Sequence, residues 1–289
     1  MSDAQAQLVE NLQLQIEINR KALHDLQEVT RKLELMNRKL QDSEQLKSHF
    51  LSNIRNEINN PLSAIMGLSN RLFAGANPSN LPVIARMIYE EAFNLDFQLQ
   101  NVFAAAELEA GEIAPEWAQV DVCGVVTAIL GLLDHAVARK QLSLNVDLPE
   151  ALIFVSDARK LHLIVINLLA NAVEFSPQGQ SIEVKAELVR EQLHILVRDH
   201  GAGIPSADQG AIFDRFRQLQ SGTTKDHPGH GLGLSIARAL AELLDGSIEL
   251  QSAPGEGTLF RLVLPMTEER PDTIAPEGNM FFFGETERF

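Results

Sequence analysis

The chain has 289 residues, of which 45% are hydrophobic and 22% charged, a size and composition that suit two folded domains. Its net charge of −15 and its lack of a basic stripe argue against nucleic-acid binding. The single cysteine, Cys123, excludes an intrachain disulfide and fits a reducing compartment. No apolar run approaches the ~18 residues of a membrane span, and no signal peptide is recognisable at the start. We therefore expect a cytoplasmic protein.

Residues 1–46 are predicted to form a coiled coil. Between residues 8 and 46 the chain contains no Gly or Pro. Seam residues alternate there at spacings of three and four, the pattern of a left-handed coiled coil: Val9, Leu12, Ile16, Asn19, Leu23, Leu26, Thr30, Leu33, Asn37 and Leu40. We expect a parallel dimer, because nothing nearby in the chain could cover so long a stripe. A single amphipathic helix packed on its own domain is the alternative.

Residues 47–115 are predicted to form an antiparallel helical hairpin. Phe50, Ile54 and Ile58 are four apart, and the apolar spacing resumes beyond Pro61, so the first helix should continue to residue 73 with a kink at the proline. A breaker-rich loop follows, and a second helix should run from about residue 82 to 110. Two such hairpins in a dimer would make a four-helix bundle.

Residues 116–266 are predicted to form an α+β domain in which one mixed sheet packs against helices. Asp121 is expected to cap the first helix, and Ser156 or Asp157 the second. The predicted helices are 121–140, a segment ending at 175, and 235–244; the predicted strands are 142–146, 152–155, 182–188, 193–197, 247–251 and 258–264.

Residues 267–289 are predicted to be a flexible Phe-rich tail. Residues 267–280 are polar with Pro and Gly, as linkers are. Residues 281–289 hold four of the fourteen Phe, which fits either a tail packed on its own domain or a docking peptide for a partner or the other protomer.

Four short motifs follow one another in the α+β domain. Asparagines 167 and 171 are four apart on a helix, so their amides share one face. Residues 199–205, Asp-His-Gly-Ala-Gly-Ile-Pro, follow a strand; the carboxylate can accept from an exocyclic amine, and the glycines permit close approach of the backbone. Residues 212–217 combine aromatic rings with two arginines that can reach phosphate oxygens. Residues 229–234, Gly-His-Gly-Leu-Gly-Leu, precede a helix and leave N–H groups free for phosphate.

In this order the motifs resemble the ATPase domain of histidine kinases, DNA gyrase, Hsp90 and MutL, with residues 218–228 as the lid. Residues 50–62 resemble the dimerisation and phosphoacceptor box of bacterial sensor histidine kinases. The resemblance implies an α/β-sandwich ATP-binding domain for ATP or ADP, with Mg²⁺ bound by Asn171. It implies a nucleotide site made of Asn167, Asn171, Asp199, Gly201, Gly203, Phe213, Arg215, Arg217, Gly229, Gly231, Leu232 and Gly233.

Two residues depart from the pattern of the family. A basic residue that contacts phosphate usually precedes the Phe of the first motif, where this chain has Glu174. The family's nucleophilic His is replaced by Asn56, although Glu57 retains the adjacent carboxylate that serves as base or orienter. An amide nitrogen is delocalised into its carbonyl and has no usable lone pair, so autophosphorylation at this position is not expected.

Several functions fit these features. The first is a dimeric signalling pseudokinase that acts by conformation or through a partner histidine kinase. The second is a phosphatase of a response-regulator receiver, in which Asn60, four residues past the His position, would orient water. The third is a kinase with His49 as acceptor, although two helical turns, about 10 Å, separate it from position 56. An ATP-gated clamp, as in the Hsp90 and MutL relatives, and an engineered replacement of a native His also remain open.

Overall fold

The computed structural model describes residues 20–21, 27–28, 30–34, 36–37, 55, 58–75, 77–111, 113–215 and 231–267. The chain divides into two compact units, Met1–Asn53 and Ile54–Phe289. In the first unit the described residues are helical and exposed. Most of the predicted coiled-coil seam lies outside the described residues, as does all of the predicted Phe-rich tail after Thr267. Both therefore stay predictions.

Two helices occupy the predicted hairpin. Residues 58–73 are helical and form α1, with Pro61 buried within it. A short 3-10 turn at Pro78–Asn80 precedes α2, Leu81–Ala110, which has a proline in its first turn. Gly111 ends α2 in the left-handed conformation (φ 67°), and its N–H donates to the carbonyl of Glu107. The two predicted helices and the break between them are confirmed over the described residues.

A five-stranded mixed sheet, a two-stranded sheet and three helices make up the described part of the following domain. The strands are β1 (Ala118–Asp121), β2 (Ser143–Asp147), β3 (Ile153–Ser156), β4 (Ser181–Val189), β5 (Gln192–Asp199), β6 (Ser247–Ala253) and β7 (Gly257–Pro265). The helices are α3 (Val122–Arg139), α4 (Ala158–Phe175) and α5 (Gly233–Leu243), with a 3-10 turn at Ala211–Phe213.

The large sheet has the order β2-β4-β5-β7-β6, parallel between β2 and β4 and antiparallel elsewhere. The predicted α+β sandwich is confirmed. Strand β1, which pairs with β3 in a separate two-stranded sheet, was not predicted. Four residues with one buried side chain are too short to produce a recognisable alternation.

Helix α4 is the most buried helix among those described. Twelve of its eighteen residues are buried, and it contacts α3, α5 and β5. Strand β5 turns three side chains with at most 1% exposure towards this core: Leu193, Ile195 and Val197. The apolar surface removed from water on both sides of α4 is therefore the main stabilising feature of the domain.

Long-range polar contacts fix both ends of α4. At its start Asp157 accepts from the Lys160 N–H at 3.0 Å, and its other oxygen accepts from the Glu116 N–H at 2.8 Å. At its end the ammonium of Lys140 donates to the carbonyls of Val173, Glu174 and Ser176. These contacts tie α4 to the incoming linker and to the end of α3.

Asp157, and not Ser156, caps α4, so the structure decides between the two predicted caps. The prediction that the Asp121 side chain caps α3 is wrong, although the residue stands at the predicted position. Asp121 occupies the N-cap position but makes no side-chain hydrogen bond to the helix. It is also the last residue of β1, paired with Ile153, and that pairing sets the path of the chain into α3.

Helix α3 is long and apolar enough to cross a membrane, with a mean hydropathy of 1.5, and no other described helix passes that test. Six of its residues are nevertheless buried inside the domain, where it contacts α4. The structure therefore uses this apolar surface as protein core.

The buried His162 of α4 predicts an acid-sensitive fold. Its side chain is 2% exposed, and burial lowers its pKa from 6.5 to about 4. The unfolded chain therefore binds the proton more tightly, and stability is lost as the pH falls from 6.5 towards 4. We expect His162 to account for about 2 kcal/mol of the loss in unfolding free energy between pH 7 and pH 5.

Urea titrations of the wild type and of His162→Gln at pH 7 and pH 5 measure the contribution of His162 to this loss of unfolding free energy. The variant should lose less stability than the wild type over this interval, since its side chain does not titrate. An equal pH dependence in the two proteins would contradict the assignment.

Candidate nucleotide site

The carboxylate of Asp199 lies at the end of β5 and is 4% exposed. Its Oδ1 accepts from the Gly201 N–H at 2.8 Å and from the Thr258 N–H at 3.2 Å. Burial raises the pKa of this carboxyl group, although both hydrogen bonds and the neighbouring His200 act in the opposite direction. Both of these hydrogen bonds go to Oδ1, and together they fix the orientation of the carboxylate group. Oδ2 takes part in neither of them.

The loop after Asp199 is joined to the β6–β7 turn by hydrogen bonds. The Gly255 N–H donates to the Ala202 carbonyl at 2.7 Å, and the Ile204 N–H donates to Ser252 Oγ at 2.8 Å. The side-chain amide of Gln209 donates to the carbonyls of Ile204 (3.0 Å) and Ser252 (2.8 Å). The loop therefore has a defined conformation set by residues about 50 positions away in sequence.

The glycines of this loop are required by close backbone approach. At Gly201 a side chain would begin 2.5 Å from the Phe175 carbonyl oxygen. Gly203 has a φ of +70°, and a side chain there would overlap the Ala253 carbonyl. These contacts bring the end of α4, the loop after β5 and the β6–β7 turn together around Asp199.

The two predicted asparagines of α4 have different environments. Asn167 is 3% exposed, and its Nδ2 donates to Leu163 O at 2.7 Å and to Asn101 Oδ1 of α2 at 2.8 Å. Asn171 is half-buried, one turn further along the helix. Of the two amides, that of Asn171 is therefore the more accessible to a ligand.

Aromatic packing holds the described part of the third motif against β7 and α5. The Phe213 ring packs edge-to-face against Phe260, with centroids 6.4 Å apart. The guanidinium of Arg238 lies 5.3 Å from the Phe213 centroid. Arg215 is exposed, and Arg217 lies outside the described residues.

The last motif leads into α5. Gly231 has a φ of +64°, and Leu232 is 2% exposed and precedes the first helical residue, Gly233. A side chain at Gly233 would overlap Oδ1 of Asn167. The start of α5, where backbone N–H groups are predicted to bind phosphate, therefore lies against α4.

The remaining predicted residues belong to the hairpin or fall outside the described part of the chain. Asn60 is exposed on α1. Gly229, His49, Asn56 and Glu57 are not described. Their predicted roles stay predictions.

Four residues that shape this site are absent from the set predicted from the sequence: Asn101, Lys140, Thr258 and Ser252. Asn101 bonds the predicted site residue Asn167, and Lys140 brings an ammonium group to the end of α4 beside Glu174. Thr258 and Ser252 fix the Asp199 loop. Each acts across a long sequence separation, so no local pattern identifies them.

A model of the family described as "Histidine kinase-, DNA gyrase B-, and HSP90-like ATPase" matches residues 156–268. Residues 156–268 form a histidine-kinase-like ATPase domain. The match includes Asp199 with its loop and Gly231–Gly233 at the start of α5. The resemblance stated from the four motifs is thereby confirmed.

Curated relatives extend the similarity upstream of this ATPase domain. The chain is 31% identical over 259 residues to "Sensor histidine kinase TmoS" of Ectopseudomonas mendocina, covering 88% of this chain and 25% of the relative. It is 29% identical over 249 residues to "Non-motile and phage-resistance protein" of Caulobacter vibrioides (83% and 30%). It is 30% identical over 224 residues to "Sensor-like histidine kinase SenX3" of Mycolicibacterium smegmatis (77% and 58%). The chain thus spans between a quarter and somewhat over half of these relatives.

Solved structures share the fold. "Acinetobacter baumannii histidine kinase AdeS" matches with a TM-score of 0.52 at 20% identity, covering 73% of this chain and 98% of that one. Full-length ShkA in complex with AMPPNP matches with a TM-score of 0.55 at 22% identity, covering 79% of this chain and 47% of that one.

Replacing the Asp199 carboxylate by an amide should weaken ATP binding without lowering the stability of the domain. In Asp199→Asn, Oδ1 can still accept from the Gly201 and Thr258 N–H groups, but an NH₂ donor then faces the ligand's amine. We expect ATP affinity to fall by about tenfold or more. The raised pKa means that the ionised group is unfavourable in the folded state, so thermal stability at neutral pH should be equal or higher.

Calorimetric titration with ATP and a thermal melt test both parts, with Asp147→Asn, an exposed carboxylate on β2, as the control. Unchanged ATP affinity in Asp199→Asn would remove this residue from the site.

Proposed function

We propose that the chain is a dimeric, ATP-binding regulator of two-component signalling that does not accept phosphate at residue 56. The histidine-kinase-like ATPase domain and the sensor histidine kinases among its relatives support the signalling class. The observation that carries the proposal is Asn56, which occupies the phosphoacceptor position in a chain that retains the four ATPase motifs apart from Glu174.

ATP binding is supported by the geometry around Asp199. The oxygen that is not held by Gly201 and Thr258 can accept from the exocyclic amine of adenine. Burial favours a specific hydrogen bond there, because water competes poorly inside the domain. The AMPPNP bound to ShkA, a protein of the same fold, agrees with this ligand class.

A Mg²⁺ ion fits this site when it binds together with the phosphate groups of the nucleotide. Within the described ranges, no group of three His, Cys, Asp or Glu residues could hold a metal. The Asn171 amide is half-exposed and offers one oxygen of the hard type that Mg²⁺ prefers, so phosphate oxygens and water would complete its coordination. The ion would offset phosphate charge, which matters here because Glu174 replaces the family's basic residue.

Nucleotide binding and phosphate transfer have different chemical requirements, and only transfer depends on the side chain at residue 56. The ATPase domain can hold a nucleotide without any acceptor, whereas transfer needs a nucleophile with a free lone pair. The Asn56 amide lacks one, so ATP would act as a ligand whose binding changes the conformation of the dimer. The output would pass to a response-regulator receiver or a partner histidine kinase, and the input would arrive through the N-terminal helix.

Restoring the nucleophile tests this proposal. Incubated with ATP labelled at the γ-phosphate, the wild type should acquire no acid-labile label, whereas Asn56→His should. The control is Asn56→Gln, which is altered at the same position but remains an amide. Labelled wild-type protein would contradict the proposal, and mapping that label to His49 would favour the kinase alternative. If Asn56→His stays unlabelled, Asn56→His/Glu174→Lys tests whether the reversed charge prevents transfer.

The exposure of Asn60 favours receiver phosphatase as a second candidate function. Its amide lies on α1, accessible to a partner, and an amide can orient water against an aspartyl phosphate. If this activity exists, Asn60→Ala should slow loss of phosphate from a phosphorylated receiver by at least about tenfold, because the water loses its orienting group.

Asn59→Ala is the matched control, since Asn59 is also an exposed amide on α1 and should leave the rate unchanged. Equal rates for the wild type and Asn60→Ala, measured with the receivers encoded nearest to this protein's gene, would exclude the phosphatase role of Asn60.

A further inference from the structure

We propose that Asn101 is a positioning residue, which couples helix α2 of the hairpin to the phosphate end of the nucleotide site through Asn167. The inference rests on the proposed ATP binding. It assigns to one side chain of the hairpin an effect on nucleotide affinity without contact between that side chain and the nucleotide.

The first observation is a buried amide pair between two helices. Asn101 of α2 is 7% exposed and Asn167 of α4 is 3% exposed. The Asn167 Nδ2 donates to Asn101 Oδ1 at 2.8 Å, and the Asn101 Nδ2 donates to Phe97 O at 3.0 Å. With its second bond to Leu163 O, the Asn167 NH₂ group uses both hydrogens. The orientation of the Asn167 amide therefore depends on Asn101.

The second observation concerns the other side of the same amide. Oδ1 of Asn167 lies so close to Gly233 that a Cβ atom there would overlap it. Gly233 is the first residue of α5 and follows Gly231 and Leu232 directly. The Asn167 amide thus contacts α2 on one side and the start of α5 on the other. The start of α5 is where the free N–H groups predicted to bind phosphate lie.

The third observation is that the pair lies where α2 packs on the domain. Helix α2 contacts α5, and Ala104, one turn beyond Asn101, is buried at 7% exposure. This buried amide pair permits only one position of α2 along α4. Any shift of α2 would leave the Asn167 Nδ2 donor and the Asn101 Oδ1 acceptor buried and unpaired. A movement of the hairpin would therefore break this bond and release the amide that rests against Gly233.

Loss of the Asn101 side chain should have the same effect. In Asn101→Ala one buried hydrogen of Asn167 has no acceptor, so the amide can turn away from its present orientation. The start of α5 then loses a fixed contact at Gly233. Nucleotides that carry a phosphate chain should bind less tightly, while adenosine, which contacts only the Asp199 end, should bind as before.

Competition titrations of the 289-residue chain with Mg–ATP and with adenosine test the inference. We expect Asn101→Ala to raise the Kd for Mg–ATP about fivefold to tenfold, the equivalent of one buried hydrogen bond, and to leave the Kd for adenosine within about twofold. The control is Asn94→Ala, an exposed asparagine on the same helix, which should change neither Kd. The double variant Asn101→Ala/Asn167→Ala should bind Mg–ATP no more weakly than Asn167→Ala alone, because both changes remove one interaction.

An unchanged or lower Kd for Mg–ATP in Asn101→Ala would overturn the inference. So would an equal loss for ATP and adenosine, which marks general destabilisation, or effects of the two substitutions that simply multiply. A wild type that binds no nucleotide at all would instead refute the proposed function.

Hydrogen exchange on the wild type keeps the inference testable if the variants do not fold. Mg–ATP should change the exchange of α2 backbone amides around Asn101, and adenosine should not. Identical exchange there with and without Mg–ATP would overturn the coupling.

Discussion

Burial of helix α4 is the constraint on which the rest of the ATPase domain depends. The helix is apolar on nearly all sides, and it contacts α3, α5 and β5. A helix enclosed in this way cannot rotate without exposing large side chains, so its two asparagines have fixed directions. Asp157 and Lys140 fix its ends, and Asn167 connects it to α2. Two predicted residues of the nucleotide site, Asn167 and Asn171, are consequently carried by the most buried of the described helices.

The elements with strong local patterns were predictable from the sequence. The apolar stripe of α2 and the alternation in β4 each follow from burial on one face, and both elements lie within a residue or two of the predicted bounds. The four motifs likewise predicted the ATPase domain. Pairings across the fold were not predictable: the Asn101–Asn167 bond spans 66 positions, and the contacts of Lys140 with α4 span 33 to 36. Tertiary packing brings such partners together, and the local spacing of residues in the sequence does not indicate it.

In the proposed function, the chain retains the residues that bind and position the nucleotide and lacks only the nucleophile at residue 56. This division has a physical basis, because nucleotide binding depends on burial and hydrogen-bond geometry distributed over many residues. Phosphate transfer at the hairpin depends on the lone pair of one side chain. A single replacement can therefore remove transfer and leave nucleotide-dependent conformational change intact. In this account the hairpin responds to ATP through contacts such as the Asn101 amide.

Native mass spectrometry of the wild-type chain with Mg–ATP tests the central claim most directly. The account predicts a dimer that carries non-covalently bound nucleotide, and no phosphoryl group on the protein after the nucleotide is removed under neutral denaturing conditions. A covalent phosphoryl group on the peptide that contains residue 56, or a chain that binds no nucleotide, would contradict it.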